Sequence, residues 1–271
     1  MKMREIKTEN YWIRQQDNLE FMRELESESI NLIYCDILYN TNKKFKDYDD
    51  RLGTPQEAMD WYKPRLIEMK RILKDTGSIY LQCDYRLVHY LKVLMDEIFG
   101  IKNFRNDIIW NYGGQSRKTE ISAKHDNILR YSNGNKPTYN TQYKPHTERS
   151  KKEYRHSYNG EMCARTKRGD KYYYSPLNPN GTNITDVWDD LYYLTPSSKE
   201  RKSIDYTTQK PKALLERIIK ASSNENDTVA DFFLGSGTTG EVALELGRKF
   251  IGCDIGDKAF EISKKRLEEV D

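Results

Sequence analysis

A chain of 271 residues, 32% of them charged, with a net charge of +3 and a mean hydropathy of −0.91, has room for one large α/β domain or for one domain carrying a sizeable insertion. No apolar run approaches bilayer-spanning length, and Met1-Lys2-Met3-Arg4-Glu5 lacks the apolar stretch of a signal peptide, so a cytoplasmic protein without membrane contact is expected. The four cysteines (Cys35, Cys83, Cys163, Cys253) are scattered and form no CxxC pair, which argues against disulfides or a zinc centre and for buried thiols.

In chain order, Tyr11–Gln15 predicts a first strand, followed by Asp17-Asn18 and a helix over Leu19–Leu25. Ile30–Cys35 is apolar, β-rich and short, the pattern of a buried strand, and runs straight into Asp36-Ile37-Leu38-Tyr39. The polar stretch 41–53 is expected to be a mobile loop. A helix is predicted from Thr54, with Thr as N-cap and Pro55 in the first turn, carrying Met59, Tyr62, Leu66, Met69 and Leu73 at helical spacing and ending at Gly77. Ser78–Asp84 predicts the next strand, Arg86–Phe99 a helix, and Asp107–Trp110 and Asn127–Tyr131 two further strands. This alternation implies a largely parallel, doubly wound α/β sheet with helices on both faces.

From about Ser132 to Ile204 aliphatic residues become scarce. Lysines and arginines (Arg149, Lys152, Arg155, Arg165, Arg168 among them) interleave with tyrosines such as Tyr143, Tyr158, Tyr172 and Tyr174. A structureless loop of this length is improbable inside a domain, so 132–204 is expected to be an inserted module, dividing the chain into 1–131, 132–204 and 205–271. Basic residues among aromatics fit nucleic-acid contact better than the alternative, a merely solvated surface.

The stretch that organises the rest comes late. Thr228–Asp231 reads as a strand ending in an acid, Phe232-Phe233-Leu234-Gly235-Ser236-Gly237 as a glycine-rich turn, and Gly240–Arg248 as a helix; Phe250–Cys253 is the next strand and ends in Asp254. Glycines that let backbone approach a ligand, a helix N-terminus behind them and an acid at the following strand tip form a nucleoside-binding pattern. Two strands thus end in an acid followed by an unusual loop, at Asp36 and at Asp231. In a parallel sheet both can face one crevice.

These segments resemble the S-adenosylmethionine-dependent DNA amino-methyltransferases of the permuted (β) class, in which a DPPY motif precedes a target-recognition region and a cofactor loop comes last. Asp36-Ile37-Leu38-Tyr39 matches DPPY at its ends, and Asp231–Thr239 matches DPFxGSGTT except at the proline. Thr208-Gln209-Lys210-Pro211 with Leu214, Leu215 and Arg217 matches the T-x-K-P…LL-x-R segment. Gly77–Leu81 and Lys124–Leu129 also resemble family segments.

The resemblance implies a Rossmann-like methyltransferase fold with an inserted target-recognition region, S-adenosyl-L-methionine as cofactor, and transfer to adenine N6 of a base flipped from double-stranded DNA. It implies that Phe233, Gly235, Ser236, Gly237 and Thr238, with Asp231 before them, surround the methionine part of the cofactor. Thr208 and Lys210 would bind its carboxylate, Asp254 the ribose hydroxyls, and Asp17 would sit near the adenine amino group; the alternative for Asp17 is an N-cap of the helix after it. Asp36 and the Ile37 carbonyl would accept the target amine, with Leu38 completing the loop and Tyr39 stacking on the base. His125 and Asp126 suit a strand-flanking role or a contact to that base, and no metal is implied. Family relatives often form dimers, and a cognate restriction endonuclease can accompany them. Ile37, Leu38 and Phe232 replace prolines, and Gln16 replaces a glycine. A catalytically silent DNA-binding module, a cytosine-N4 enzyme and an RNA or protein methyltransferase are the alternatives; Asp rather than Ser at position 36 favours adenine.

Overall fold

The computed structural model describes residues 4–271 other than 115, 117, 196, 203–205 and 207. The expected boundary at 204–205 and Thr207 therefore lie outside the described residues. The described chain forms two compact units, residues 1–140 with 186–271 and residues 141–185.

The large unit is built from strands β1 (Arg4–Lys7), β2 (Tyr11–Gln15), β3 (Ile30–Asp36), β4 (Leu73–Cys83), β5 (Phe104–Asn111) and β6 (His125–Ser132). Its helices in this part are α1 (Asn18–Glu24), α2 (Pro55–Ile72) and α3 (Val88–Phe99). Thr54 caps α2 as its sequence predicts: its hydroxyl accepts from the Glu57 N–H while Glu57 returns the bond to the Thr54 N–H, and Pro55 takes the first turn. Gly77, expected to end that helix, instead lies inside β4. The helix stops four residues earlier because Leu73 turns extended and pairs with Ile30.

The smaller unit holds β7 (Tyr143–Lys144), α4 (Glu148–Lys151), β8 (His156–Tyr158), β9 (Glu161–Arg168), β10 (Lys171–Pro176) and β11 (Thr182–Asn183). β8, β9 and β10 form an antiparallel meander, and β7 pairs with β11. Tyr158 and Tyr174 stack at 4.3 Å, Arg165 lies over Tyr172 at 4.5 Å, and Arg168 lies over Tyr173 at 5.6 Å. Beyond it the chain returns to the large unit through β12 (Val187–Trp188), α5 (Lys199–Lys202), α6 (Lys212–Ser222), β13 (Thr228–Asp231), α7 (Thr238–Glu245), β14 (Lys249–Asp254) and α8 (Asp257–Glu268). The compact unit is narrower than 132–204 because both margins of that stretch pair into the main sheet. Tyr131 and Ser132 extend β6, and Trp188 is buried beside Trp110 of β5 under the Arg217 guanidinium.

The main sheet runs β1-β2-β14-β13-β3-β4-β6-β5-β12. β2, β14, β13, β3 and β4 are mutually parallel, whereas β6 is antiparallel to both its neighbours and β1 forms an antiparallel edge that the sequence did not signal. Alternate residues of a strand face opposite sides. Ile33 and Cys35 accordingly join the core built by Phe21, Leu66, Met69 and Leu91 from α1–α3. Leu32 and Tyr34 point to the other face, where α6 packs on β3 and α7 and α8 continue the row. All four cysteines are buried free thiols. No helix among the described residues is long and apolar enough to cross a membrane.

Candidate active site

Parallel strands bring their C-terminal tips to one edge. Asp17 follows β2, Asp36 ends β3, Asp231 ends β13 and Asp254 ends β14. Because β6 runs the other way, its first residues, His125 and Asp126, arrive at the same edge. A cavity of about 520 Å³ opens there. Its lining includes Asp17, Asp36, Ile37, Leu38, Tyr39, Thr208, Lys210, Asp231, Phe233, Gly235, Ser236, Thr238 and Asp254. Of the catalytic and cofactor-binding residues expected from the sequence, Gly237 is the one outside that lining, and His125 and Asp126 are not part of it either. It turns the chain at φ +74° behind the loop, where an added Cβ would meet the Ser263 Oγ at 2.7 Å and its Cα at 3.0 Å.

The glycine loop is held from below. The Asp231 carboxylate accepts from the Phe233 N–H (3.0 Å) and the Thr239 hydroxyl (2.6 Å), and burial pushes its pKa up to about 7. Asp254 accepts from the N–H of Gly235 (2.9 Å) and of Gly256 (2.8 Å), and burial raises it as well. Arg266 donates to the Ser236 carbonyl (3.1 Å) and the Thr238 hydroxyl (3.0 Å). Asp17 does cap α1, accepting from the Leu19 N–H at 2.9 Å, and also pairs with Arg65 at 2.8 Å. The Arg65 guanidinium lies 3.5 Å over the Trp61 ring, and Trp61 joins the cavity wall. Asn18 ties α1 to the loop through the Phe232 carbonyl (3.0 Å).

In the same lining the Asp36 carboxylate is paired with the Lys210 ammonium and accepts from the Tyr39 hydroxyl at 2.7 Å. That hydroxyl also lies 2.9 Å from Asp126, which accepts from the Gln82 amide (2.8 Å); Gln82 in turn accepts from Tyr34 (2.7 Å). Burial and the two carboxylates hold the Tyr39 pKa well above the phenolic range, so it remains a donor. The loop lacks the prolines of DPPY but is anchored otherwise. The Ile37 N–H, which a proline would not have, donates to the Gln82 carbonyl (3.3 Å), and the Tyr62 hydroxyl donates to the Leu38 carbonyl (2.7 Å).

The stretch 41–53, expected to be a mobile loop, folds back on the buried Asp50, which accepts from the Asn40 N–H (3.1 Å), the Thr41 N–H (2.9 Å) and the Thr41 hydroxyl. Phe45 stacks on Tyr48 at 4.8 Å, and Lys258 pairs with Asp47 at 2.9 Å. Thr41, Phe45, Asp47 and Tyr48 become part of the cavity wall. A second cavity of about 450 Å³ shares Thr208 and Lys210 with the first and is lined by Trp110, Tyr112, Tyr193, Lys124, Arg201 and Asp126. Sequence reading missed Gln82, Trp61 and the lining strap. Each sits on an element whose place at this edge depends on strand order. No His, Cys, Asp or Glu cluster able to hold a metal occurs among the described residues.

Comparison with known proteins agrees with this architecture. The N6_N4 family model, described as DNA methylase, matches residues 30–265. The type II methyltransferase M.HpaI of Haemophilus parainfluenzae is 33% identical over 252 residues, covering 92% of this chain and 72% of that protein. M.BamHI of Bacillus amyloliquefaciens is 31% identical, covering 94% of this chain and 56% of that one. The DNA adenine methyltransferase YhdJ of Escherichia coli (strain K12) is 31% identical, covering 93% and 81%. Among solved structures, the cytosine-N4-specific PvuII DNA methyltransferase superposes with a TM-score of 0.65 at 18% identity, covering 96% of this chain and 87% of that one. TTHA0409 of Thermus thermophilus in complex with S-adenosyl-L-methionine gives 0.60 at 17%, covering 97% and 95%. At these identities the structural likeness concerns the fold, a Rossmann-like methyltransferase sheet. With the family model spanning most of its length, the chain belongs to the N6/N4 DNA methylase family and is an S-adenosylmethionine-dependent DNA amino-methyltransferase.

Proposed function

We propose that the protein methylates the exocyclic N6 of adenine in duplex DNA. One observation carries the reading: a carboxylate held by two donors, Asp36, faces the same cavity as the glycine loop and Asp254. The residues present suit the cofactor. Each Asp254 oxygen keeps a lone pair for a ribose hydroxyl beyond its bond to the loop, and the Lys210 ammonium has three donors, enough for Asp36 and a methionine carboxylate together. Thr208 would share that carboxylate, Phe233, Gly235, Ser236 and Thr238 would line the methionine part, and Asp17 would lie toward the adenine. When bound, S-adenosylmethionine supplies an electrophilic methyl group.

The work of the chain is orientation. An amine conjugated to a ring has a delocalised lone pair; accepting its two N–H groups at Asp36 and at the Ile37 carbonyl turns that lone pair out of the ring plane. The base has to leave the duplex, at a cost of a few kcal/mol, and each stacking contact with an aromatic returns roughly 1–3 kcal/mol. Trp110, Tyr112 and Tyr193 offer such faces in the second cavity, and Tyr39 lines the first. We assign the contact to DNA phosphates to the basic, tyrosine-rich residues 141–185. Asp at position 36 and the likeness to a relative named as an adenine methyltransferase support adenine over cytosine.

The test is transfer of labelled methyl groups to mixed-sequence duplex DNA, followed by nucleoside analysis. N6-methyladenine is the expected product; N4-methylcytosine, or no transfer to duplex DNA by the wild type, would overturn the reading. Asp36→Ala is expected to abolish transfer while cofactor binding, measured by calorimetry, is retained. Within a restriction–modification system the product would mask sites from a cognate endonuclease, and modification-sensitive sequencing of DNA from expressing cells would give base and site together.

A further inference from the structure

The Tyr39 hydroxyl lies between two carboxylates, 2.7 Å from Asp36 and 2.9 Å from Asp126. A phenol carries one hydrogen, so it can satisfy one of them. If both acids were ionised, the other contact would set oxygen lone pairs against each other in a partly buried place. A second hydrogen on one carboxyl removes the conflict. Asp36 has the Lys210 ammonium to balance its charge. Asp126 is buried, its further partner is the neutral Gln82 amide, and it makes no ion pair among the described residues.

We propose that Asp126 is a neutral carboxylic acid that donates to Tyr39, so that Tyr39 donates to Asp36 and holds it ionised and fixed, making Asp126 a positioning residue for the transfer. The inference rests on the proposed role of Asp36 and extends it to a residue 87 positions from Tyr39. Burial raises the Asp126 pKa, as does the neighbouring Asp36, while Lys210 acts the other way. The groups facing Asp126 are Tyr34, Asp36 and Tyr39 from β3 and the loop after it, Gln82 from β4, Tyr112 past the end of β5, and Lys210 ahead of α6. As pH rises and Asp126 ionises, it takes the Tyr39 hydrogen, and Asp36 loses a donor. Activity should then fall on the alkaline side.

Two variants and two readouts test this. Asp126→Ala is expected to lower kcat by roughly 10- to 100-fold while KM for DNA and cofactor change by less than about threefold. Asp126→Asn keeps an N–H donor toward Tyr39, with the Gln82 amide turned over. It should recover kcat to within about threefold of wild type and lose the alkaline fall. The second readout needs no DNA: the infrared spectrum of wild type minus that of Asp126→Asn, both at the same neutral pH so that the buried Asp231 contributes equally, should show the carbonyl stretch of one protonated carboxyl. This spectrum decides the protonation of Asp126 even if the wild type methylates no DNA, and so separates failure of this inference from failure of the proposed function. The inference is overturned if that difference spectrum shows no protonated-carboxyl band, if Asp126→Ala leaves kcat intact, or if Asp126→Asn is as impaired as Asp126→Ala.

Discussion

Replacing Asp231 by asparagine should stabilise the protein, and more so as pH rises. Asp231 is buried under the cofactor loop, where it accepts from the Phe233 N–H and the Thr239 hydroxyl but has no cation beside it among the described residues. Burial pushes its pKa from 3.8 up to about 7. The folded form therefore holds a proton that the unfolded chain releases above about pH 4. Stability from this group is complete below the unfolded pKa and is lost as pH rises through the folded one. About three pH units at about 1.4 kcal/mol each make a full effect of about 4 kcal/mol, of which roughly 2–3 kcal/mol falls between pH 5 and pH 8. Asparagine does not titrate, and its oxygen can still accept from Phe233. Urea unfolding followed by tryptophan fluorescence, with both proteins at pH 5 and at pH 8, should show the gap widening toward pH 8. A gap that stays constant, or narrows, would refute the argument. The cofactor carries cationic groups, so its binding to wild type should also tighten as pH passes about 7, and less so to Asp231→Asn.

Gly237→Ala combines a left-handed residue with a Cβ 3.0 Å from the Ser263 Cα. A loss of about 2–4 kcal/mol in urea unfolding, with weaker cofactor binding, is expected; an unchanged midpoint would contradict the loop geometry. In the smaller unit, replacing Arg165, Lys167 and Arg168 together by alanine should weaken DNA binding at all sequences. The slope of log affinity against log salt should become shallower by about 2–3. An unaltered slope would remove this face from the DNA contact.

Much of the site was written in short stretches. The Thr54-Pro55-x-Glu57 cap, the acids closing β3, β13 and β14, and the left-handed glycines are set by neighbours within a few residues, so pattern reading reaches them. Asp36 and Tyr39 belong to one such stretch. Their other partners do not: Lys210 is 174 positions from Asp36, and Asp126 meets Tyr39 only because β6 enters the sheet antiparallel and starts where the parallel strands end. Strand order and direction are settled by burial over the whole chain, which no local window contains. The same holds for residues 41–53, which look like loop by composition yet close on one buried aspartate, and for Trp188, whose tyrosine- and charge-rich surroundings hide a strand paired into the main sheet. Local chemistry thus determined which groups the site would use, and tertiary packing decided which hydrogen bonds orient them.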